Sequence, residues 1–205
     1  MTAAVHEEDE ILSGCFLSDR FQKEAHVMGM KIGVMVSVLL VSMFVPTVGM
    51  GKEAKKMKEL TITSPAFVEG GAIPLRYTCD GKDINPPLAF GVAPVGARSL
   101  ALIVDDPDAP VGTWVHWVVW NISHDVREIM EGSLPAGAKQ GLNDWKRNSY
   151  GGPCPPSGMH RYYFKIYALD KVLDISPSAD KAALEKAMHG HILAQGQLMG
   201  TYRRR

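Results

Sequence analysis

Ser99-Leu100-Ala101-Leu102-Ile103-Val104 runs straight into Asp105-Asp106-Pro107-Asp108-Ala109-Pro110. The first half is a short continuous apolar run, the pattern of a β-strand buried on both faces. The second half places three carboxylates and two prolines where that strand should end. Proline fixes φ and removes a backbone donor, so the ladder stops there and Asp106 and Asp108 are held in defined directions. A solvated surface turn would account for one Asp-Pro step. The repeated pattern directly after a buried strand points to a site.

Outward from this stretch the chain keeps reading as β. Leu60 to Thr63 alternates, Trp114 to Ile122 is a second apolar run broken only by His116, and Tyr162 to Leu169 is aromatic and β-branched. Leu198 to Tyr202 reads as a last short strand. Between these lie Asp80-Gly81, Asn85-Pro86-Pro87, Pro94-Val95-Gly96, Pro135-Ala136-Gly137 and the Gly151–Gly158 loop. Spaced strands with such punctuation predict an all-β protein, an antiparallel β-sandwich with Greek-key links. One or two short peripheral helices complete it. The clearest covers Asp180 to Met188, with Ser178 as its cap, Leu184 and Met188 on one face and Gly190 beyond its end.

The N-terminal quarter reads differently. Lys31 precedes an uncharged apolar run from Ile32 to Val45, and Gly49 and Gly51 follow Pro46. This is the layout of a secretory signal peptide over residues 28–51. The run is shorter than the roughly 20 residues a membrane-spanning helix needs, which favours cleavage over an uncleaved anchor. Residues 1–27 then form a non-structural extension, with translation starting at Met28 or Met30. Residues 52–59, with Lys52, Lys55, Lys56 and Lys58, form a basic tail, and residues 60–205 the domain. The expectation is an exported protein, periplasmic or secreted, or membrane-anchored if the signal stays.

Charge narrows the partners. The chain carries 22 basic and 22 acidic residues, without the basic excess that nucleic acid demands. Cys79 and Cys154 remain after signal removal; a disulfide between them and two separate buried thiols both fit the sequence.

Three motifs carry polar chemistry. His116 sits among Trp114, Val115, Trp117 and Val118, where a buried imidazole needs a partner. Carboxylates one strand earlier would supply it and would favour the imidazolium. In the Gly151–Gly158 loop, glycine lets backbone approach a ligand and Pro155-Pro156 forms a rigid wall. His160 and Tyr162, two apart, share a strand face, with Arg161 pointing the other way toward a structural ion pair. Asp106, Asp108, His116, His160 and Tyr162 thus form a donor-rich set suited to a small anion. They show no Ser-His-Asp order, no nucleophile elbow and no diagnostic metal spacing.

At these motifs the sequence resembles the phosphatidylethanolamine-binding protein family, in its bacterial and archaeal branch of Raf kinase inhibitor-like proteins. The resemblance spans about Leu60 to Arg203. It is carried by Tyr77-Thr78-Cys79-Asp80-Gly81 with Asn85-Pro86-Pro87-Leu88, by Asp106-Pro107-Asp108-Ala109-Pro110, and by His116-Trp117. Asn143-Asp144, Tyr150-Gly151-Gly152-Pro153-Cys154-Pro155-Pro156 and His160-Arg161-Tyr162 complete it. It implies a β-sandwich whose pocket binds phosphate-like anions and phospholipid headgroups. The ligand shell would be Asp106, Asp108, His116, His160 and Tyr162, the walls Pro110, Pro155 and Pro156, with Asp80 and Gly152 nearby. By analogy it also implies a homodimer. The C-terminal closing helix of eukaryotic members has no counterpart after Tyr202, so inhibition of a Raf-type kinase does not carry over.

The reading is therefore a non-enzymatic, cofactor-free, metal-free binder of phosphate or a phosphorylated headgroup. Its alternatives are a protease or kinase inhibitor acting through surface loops and a metal-dependent hydrolase. Fold alone does not choose among them.

Overall fold

The computed structural model describes residues 57–204. The extension, the signal segment and most of the basic tail inferred above lie outside them. Among the described residues nine strands run in chain order as β1 (Lys58–Glu59), β2 (Ile62–Thr63), β3 (Leu88–Phe90), β4 (Ser99–Asp106) and β5 (Trp114–Ser123), then β6 (Glu128–Ile129), β7 (Lys139–Gln140), β8 (Met159–Leu169) and β9 (Ile192–Arg203). A 3-10 turn covers Leu75–Tyr77 and one α-helix, α1, covers Lys181–Met188. The larger sheet has the order β1-β9-β8-β4-β5-β7, the smaller β2-β3-β6. Pairing is antiparallel except at the edge, where β1 lies parallel to β9.

The continuous apolar run in β4 follows from cover on both of its faces, and all eight residues are buried. Leu100, Leu102 and Val104 share a core with Leu60, Ile62, Leu88, Phe90 and Ile129 of the smaller-sheet side. Ala101 and Ile103 face the other way and pack with Trp120, Leu184 and Met188 beneath α1. Burying one such aliphatic side chain contributes about 1.5–3 kcal/mol, so this central strand anchors both layers.

The helix forms where its sequence predicts, but Asp180 rather than Ser178 caps it, accepting a hydrogen bond from the Ala183 N–H at 2.9 Å. Ser178 instead meets the Ser176 hydroxyl at 2.8 Å. Gly190 follows the C-cap residue His189 with φ +80°, the left-handed step that commonly closes a helix. The last strand is longer than its sequence predicts, starting at Ile192 rather than Leu198. Gln195-Gly196-Gln197 hides it, because neither polar alternation nor glycine reads as strand. The glycine is needed there: the Leu60 N–H donates to the Gln195 carbonyl at 2.8 Å, and a Cβ at position 196 would run into the Leu60 carbonyl.

Two β-bulges distort β5 against β4. The first puts Trp120 and Asn121 opposite Ala101 alone. Asn121 takes φ +55°, and its side-chain amide spans the Leu173 backbone, accepting from N–H and donating to C=O, both at 2.8 Å. The second bulge makes His116 the extra residue between Val115 and Trp117. Asn121→Ala removes two partly buried hydrogen bonds and puts a Cβ-bearing residue without amide compensation at positive φ. It should cost about 2–4 kcal/mol in urea unfolding, with Asn121→Gly about 1 kcal/mol less severe. Equal losses for the two would disprove the backbone contribution.

Candidate functional site

Asp106 and His160 reach the site by simple alternation. Asp106 continues the Leu100, Leu102, Val104 stripe of β4, and His160 precedes Tyr162, Phe164 and Ile166 on the same face of β8. At this end of the sheet, loops rather than the smaller sheet close over the core face. A cavity of about 230 Å³ results, lined by Asp106, Pro110, Trp114, His116, Trp145, Cys154, Pro156 and His160 together with Ala109 and Val111.

Both histidines are buried, and each has its Nδ1 committed to protein. His160 Nδ1 lies 2.7 Å from Asp106 Oδ2, and His116 Nδ1 lies 2.7 Å from the Gly151 carbonyl oxygen. A carbonyl only accepts, so Nδ1 of His116 carries the proton and the neutral ring presents Nε2 as an acceptor. The arrangement at His116 is reciprocal, since the Gly151 N–H donates back to the His116 carbonyl at 3.0 Å. Asp106 is itself fixed, its Oδ1 accepting the Asp108 N–H at 2.8 Å.

Electrostatics at His116 differ from the sequence expectation of an imidazolium. Burial pushes its pKa below the ordinary histidine value, outweighing the opposite pulls of the Gly151 carbonyl and of Asp106 and Asp105. Tyr162 packs edge-on against the ring with centroids 5.2 Å apart. Its hydroxyl is buried with no well-formed hydrogen bond, against the Asp106 carboxylate and near the Cys154 backbone N–H. Burial, then the Asp106 charge, hold the Tyr162 phenol far above its usual pKa, so it stays neutral.

The structure does not bring all the sequence-predicted residues to the cavity. Asp108 lies outside its lining, where its carboxylate takes the Arg161 backbone N–H at 2.9 Å and two guanidinium hydrogen bonds at 2.9 and 2.6 Å. Those contacts hold its pKa down at about 2. It therefore orients no histidine. Asp80 faces a separate cavity of about 440 Å³ with Ile73, Leu75, Met159 and Tyr202, and accepts the Tyr202 hydroxyl at 2.7 Å. Gly152 donates its N–H to Asp83 at 2.6 Å, and a Cβ there would meet the Tyr77 carbonyl at 2.6 Å. Its role is close loop packing. Pro155 is buried behind Pro156, which forms the exposed wall with Pro110.

Trp114 and Trp145 line the mouth, stacked edge-on at 5.4 Å, and sequence reading missed both. Trp145 is placed by Asn143-Asp144: the Asn143 amide donates to the Ser149 carbonyl at 2.9 Å, and Asp144 accepts the Val115 N–H at 2.7 Å. The available signal was a lone tryptophan in a polar loop. Cys79 and Cys154 are joined in a disulfide across 75 residues, with Cα atoms 5.4 Å apart. A loop of that length is worth about 4 kcal/mol in the chain-entropy account. Among the described residues no three His, Cys, Asp or Glu side chains gather as metal ligands, and no helix is long and apolar enough to cross a membrane.

The sign of the His116 effect is testable. Unfolding releases an imidazole that takes up a proton below about pH 6.5, whereas the buried ring resists it. Stability should be complete above that pH and fall on acidification by up to about 1.4 kcal/mol per pH unit. His116→Asn should remove that component from urea midpoints compared at pH 7.5 and 5.5; an unchanged slope would contradict the burial argument.

Comparison with known proteins identifies the family. The sequence model of the family described as phosphatidylethanolamine-binding protein matches residues 63–203. A UPF0098 protein of Methanothermobacter thermautotrophicus is 51% identical over 150 residues, covering 71% of this chain and 99% of that one. A second, from Pyrococcus horikoshii, is 44% identical over 179 residues, covering 83% and 88%. Among solved structures, a phosphatidylethanolamine-binding protein homologue from Chlamydia trachomatis is 46% identical with a TM-score of 0.69, over 72% of this chain and 99% of that one. YbcL of E. coli, described as a new member of the mammalian family, is 29% identical with a TM-score of 0.68 over the same shares. The chain belongs to the phosphatidylethanolamine-binding protein family.

Proposed function

We infer that the chain is an exported, non-catalytic binding protein whose cavity takes a small phosphate or a phosphorylated headgroup. One observation carries the reading: two buried imidazoles line the same cavity, and each has Nδ1 tied to protein at 2.7 Å, which leaves Nε2 for a ligand. The family, whose name itself states a phospholipid, supports the ligand class.

The chemistry of the lining sets what kind of phosphate fits. None of the described residues around the cavity is lysine or arginine, and Asp106 contributes a negative charge. A fully ionised phosphate would meet that carboxylate and the His116 lone pair with no compensating cation of fixed charge. A protonated phosphate fits better: its P–OH donates to His116 Nε2, while His160, its Nδ1 held by Asp106, presents Nε2 to the same anion. A phosphodiester brings no P–OH, so a headgroup would have to present an ammonium N–H to His116 instead. Trp114, Trp145, Pro110 and Pro156 supply an apolar mouth for the remainder of an ester.

Calorimetry with inorganic phosphate and with a phosphomonoester tests this. A phosphomonoester should bind more weakly as pH rises through its second ionisation, about 6, which removes its last P–OH, whereas inorganic phosphate keeps a P–OH above that pH. Sulfate, of the same shape but without a proton, should bind at least about tenfold more weakly, a difference of about 1.4 kcal/mol. His116→Ala with His160→Ala should abolish binding while circular dichroism stays native. Undiminished binding in that variant, or equal affinity for sulfate, would contradict the assignment.

A further inference from the structure

We propose that the Cys79–Cys154 disulfide is a thiol-exchange site that governs the anion cavity, so that a dithiol reductant loosens the cavity and a bound anion protects the bridge. This rests on the anion reading above. Both cysteines are half-buried rather than sealed, which leaves the bridge open to attack, and Cys154 lines the cavity itself.

The bridge does work that the backbone of its segment cannot. In Pro153-Cys154-Pro155-Pro156 three of four residues have no N–H to donate. The one N–H, on Cys154, lies near the Tyr162 hydroxyl without a well-formed hydrogen bond, and Pro153 contributes only its carbonyl, which accepts the Cys79 N–H at 3.2 Å. The disulfide thus stands in for the ladder bonds that would otherwise fix this wall. Three residues before Cys154 comes the Gly151 carbonyl that sets the His116 tautomer, and two residues after it comes Pro156 of the cavity wall. Loss of the covalent tie therefore acts on both the imidazole and the wall.

The fold should survive that loss. Two further bonds tie the same loops: the Gly152 N–H to Asp83 at 2.6 Å and the Tyr150 hydroxyl to the Tyr77 carbonyl at 3.0 Å. The chemistry is ordinary exchange. A thiolate of the dithiol attacks one sulfur, forming a mixed disulfide and releasing the other cysteine as a thiolate. The second thiol of the reductant then displaces the remaining cysteine. Two electrons and two protons pass to the protein, leaving Cys79 and Cys154 as thiols and the reductant as its disulfide.

The test compares the intact chain oxidised, reduced with dithiothreitol, and as the Cys79→Ser, Cys154→Ser double variant. Phosphate affinity should fall at least tenfold in both altered forms with native far-ultraviolet dichroism. By reciprocity, saturating phosphate should then make the bridge harder to reduce by about 30 mV for a tenfold coupling. Amide exchange at Gly151 and Gly152 should quicken at least tenfold on reduction. Unchanged affinity and unchanged exchange, or unfolding on reduction, would overturn the proposal. If the oxidised protein takes no phosphate, the anion reading itself has failed, and unquickened exchange at the two glycines would then sink the coupling as well.

Discussion

The reciprocal clamp between His116 and Gly151 joins the two halves of the site. One bond runs from the imidazole Nδ1–H to the glycine carbonyl at 2.7 Å, the other from the glycine N–H to the histidine carbonyl at 3.0 Å. The clamp exists because a β-bulge makes His116 the extra residue of β5, turning its side chain out of the regular alternation. Position 151 has to be glycine for the clamp to close, since a Cβ there would lie 2.5 Å from the Trp145 ring. Bulge, glycine and tryptophan are one unit, and the tautomer that His116 shows a ligand is its product.

Around this unit the fold solves an ordinary problem of layers. β4 is covered on both faces and needs apolar residues throughout, until its last two positions face different tasks. Asp105 points to the α1 side, wholly buried, and receives Lys165 and Lys181 at 2.8 and 2.6 Å. Asp106 points to the core side and meets His160. Leaving either buried carboxylate without its partner would cost about 1–3 kcal/mol or more. In the proposed function the Asp106–His160 pair, at the open end of the core, serves the ligand.

The strands were legible where one physical rule dominates. A run buried on both faces, as in β4 and β5, cannot be mistaken for surface, and aromatic alternation marks β8. The stretch from Ile192 to Gln197 was not legible, because Gly196 is there to let another backbone pass and its flanking glutamines face solvent. The helix was readable but its cap was not: Asp180 and Ser178 are both good caps, and only three-dimensional placement chooses between them. At the site, Asp106, His116 and His160 stand out as polar groups beside apolar runs. Asp108 stands out equally yet belongs to Arg161, since β4 ends at Asp106 and strand alternation no longer sets direction in the turn beyond Pro107. The charge state of His116 is not legible, because sequence supplies its carboxylate neighbours but not the depth of its burial.

The tautomer of His116 is the central claim, and nitrogen-15 NMR of the imidazole rings reads it directly. In ligand-free protein at pH 7.5, Nδ1 of His116 should carry the proton and Nε2 should show the shift of an unprotonated ring nitrogen. Added phosphate should move that Nε2 signal toward a hydrogen-bonded or protonated position. A ring protonated at Nε2 alone, or an imidazolium before ligand is added, would contradict the account.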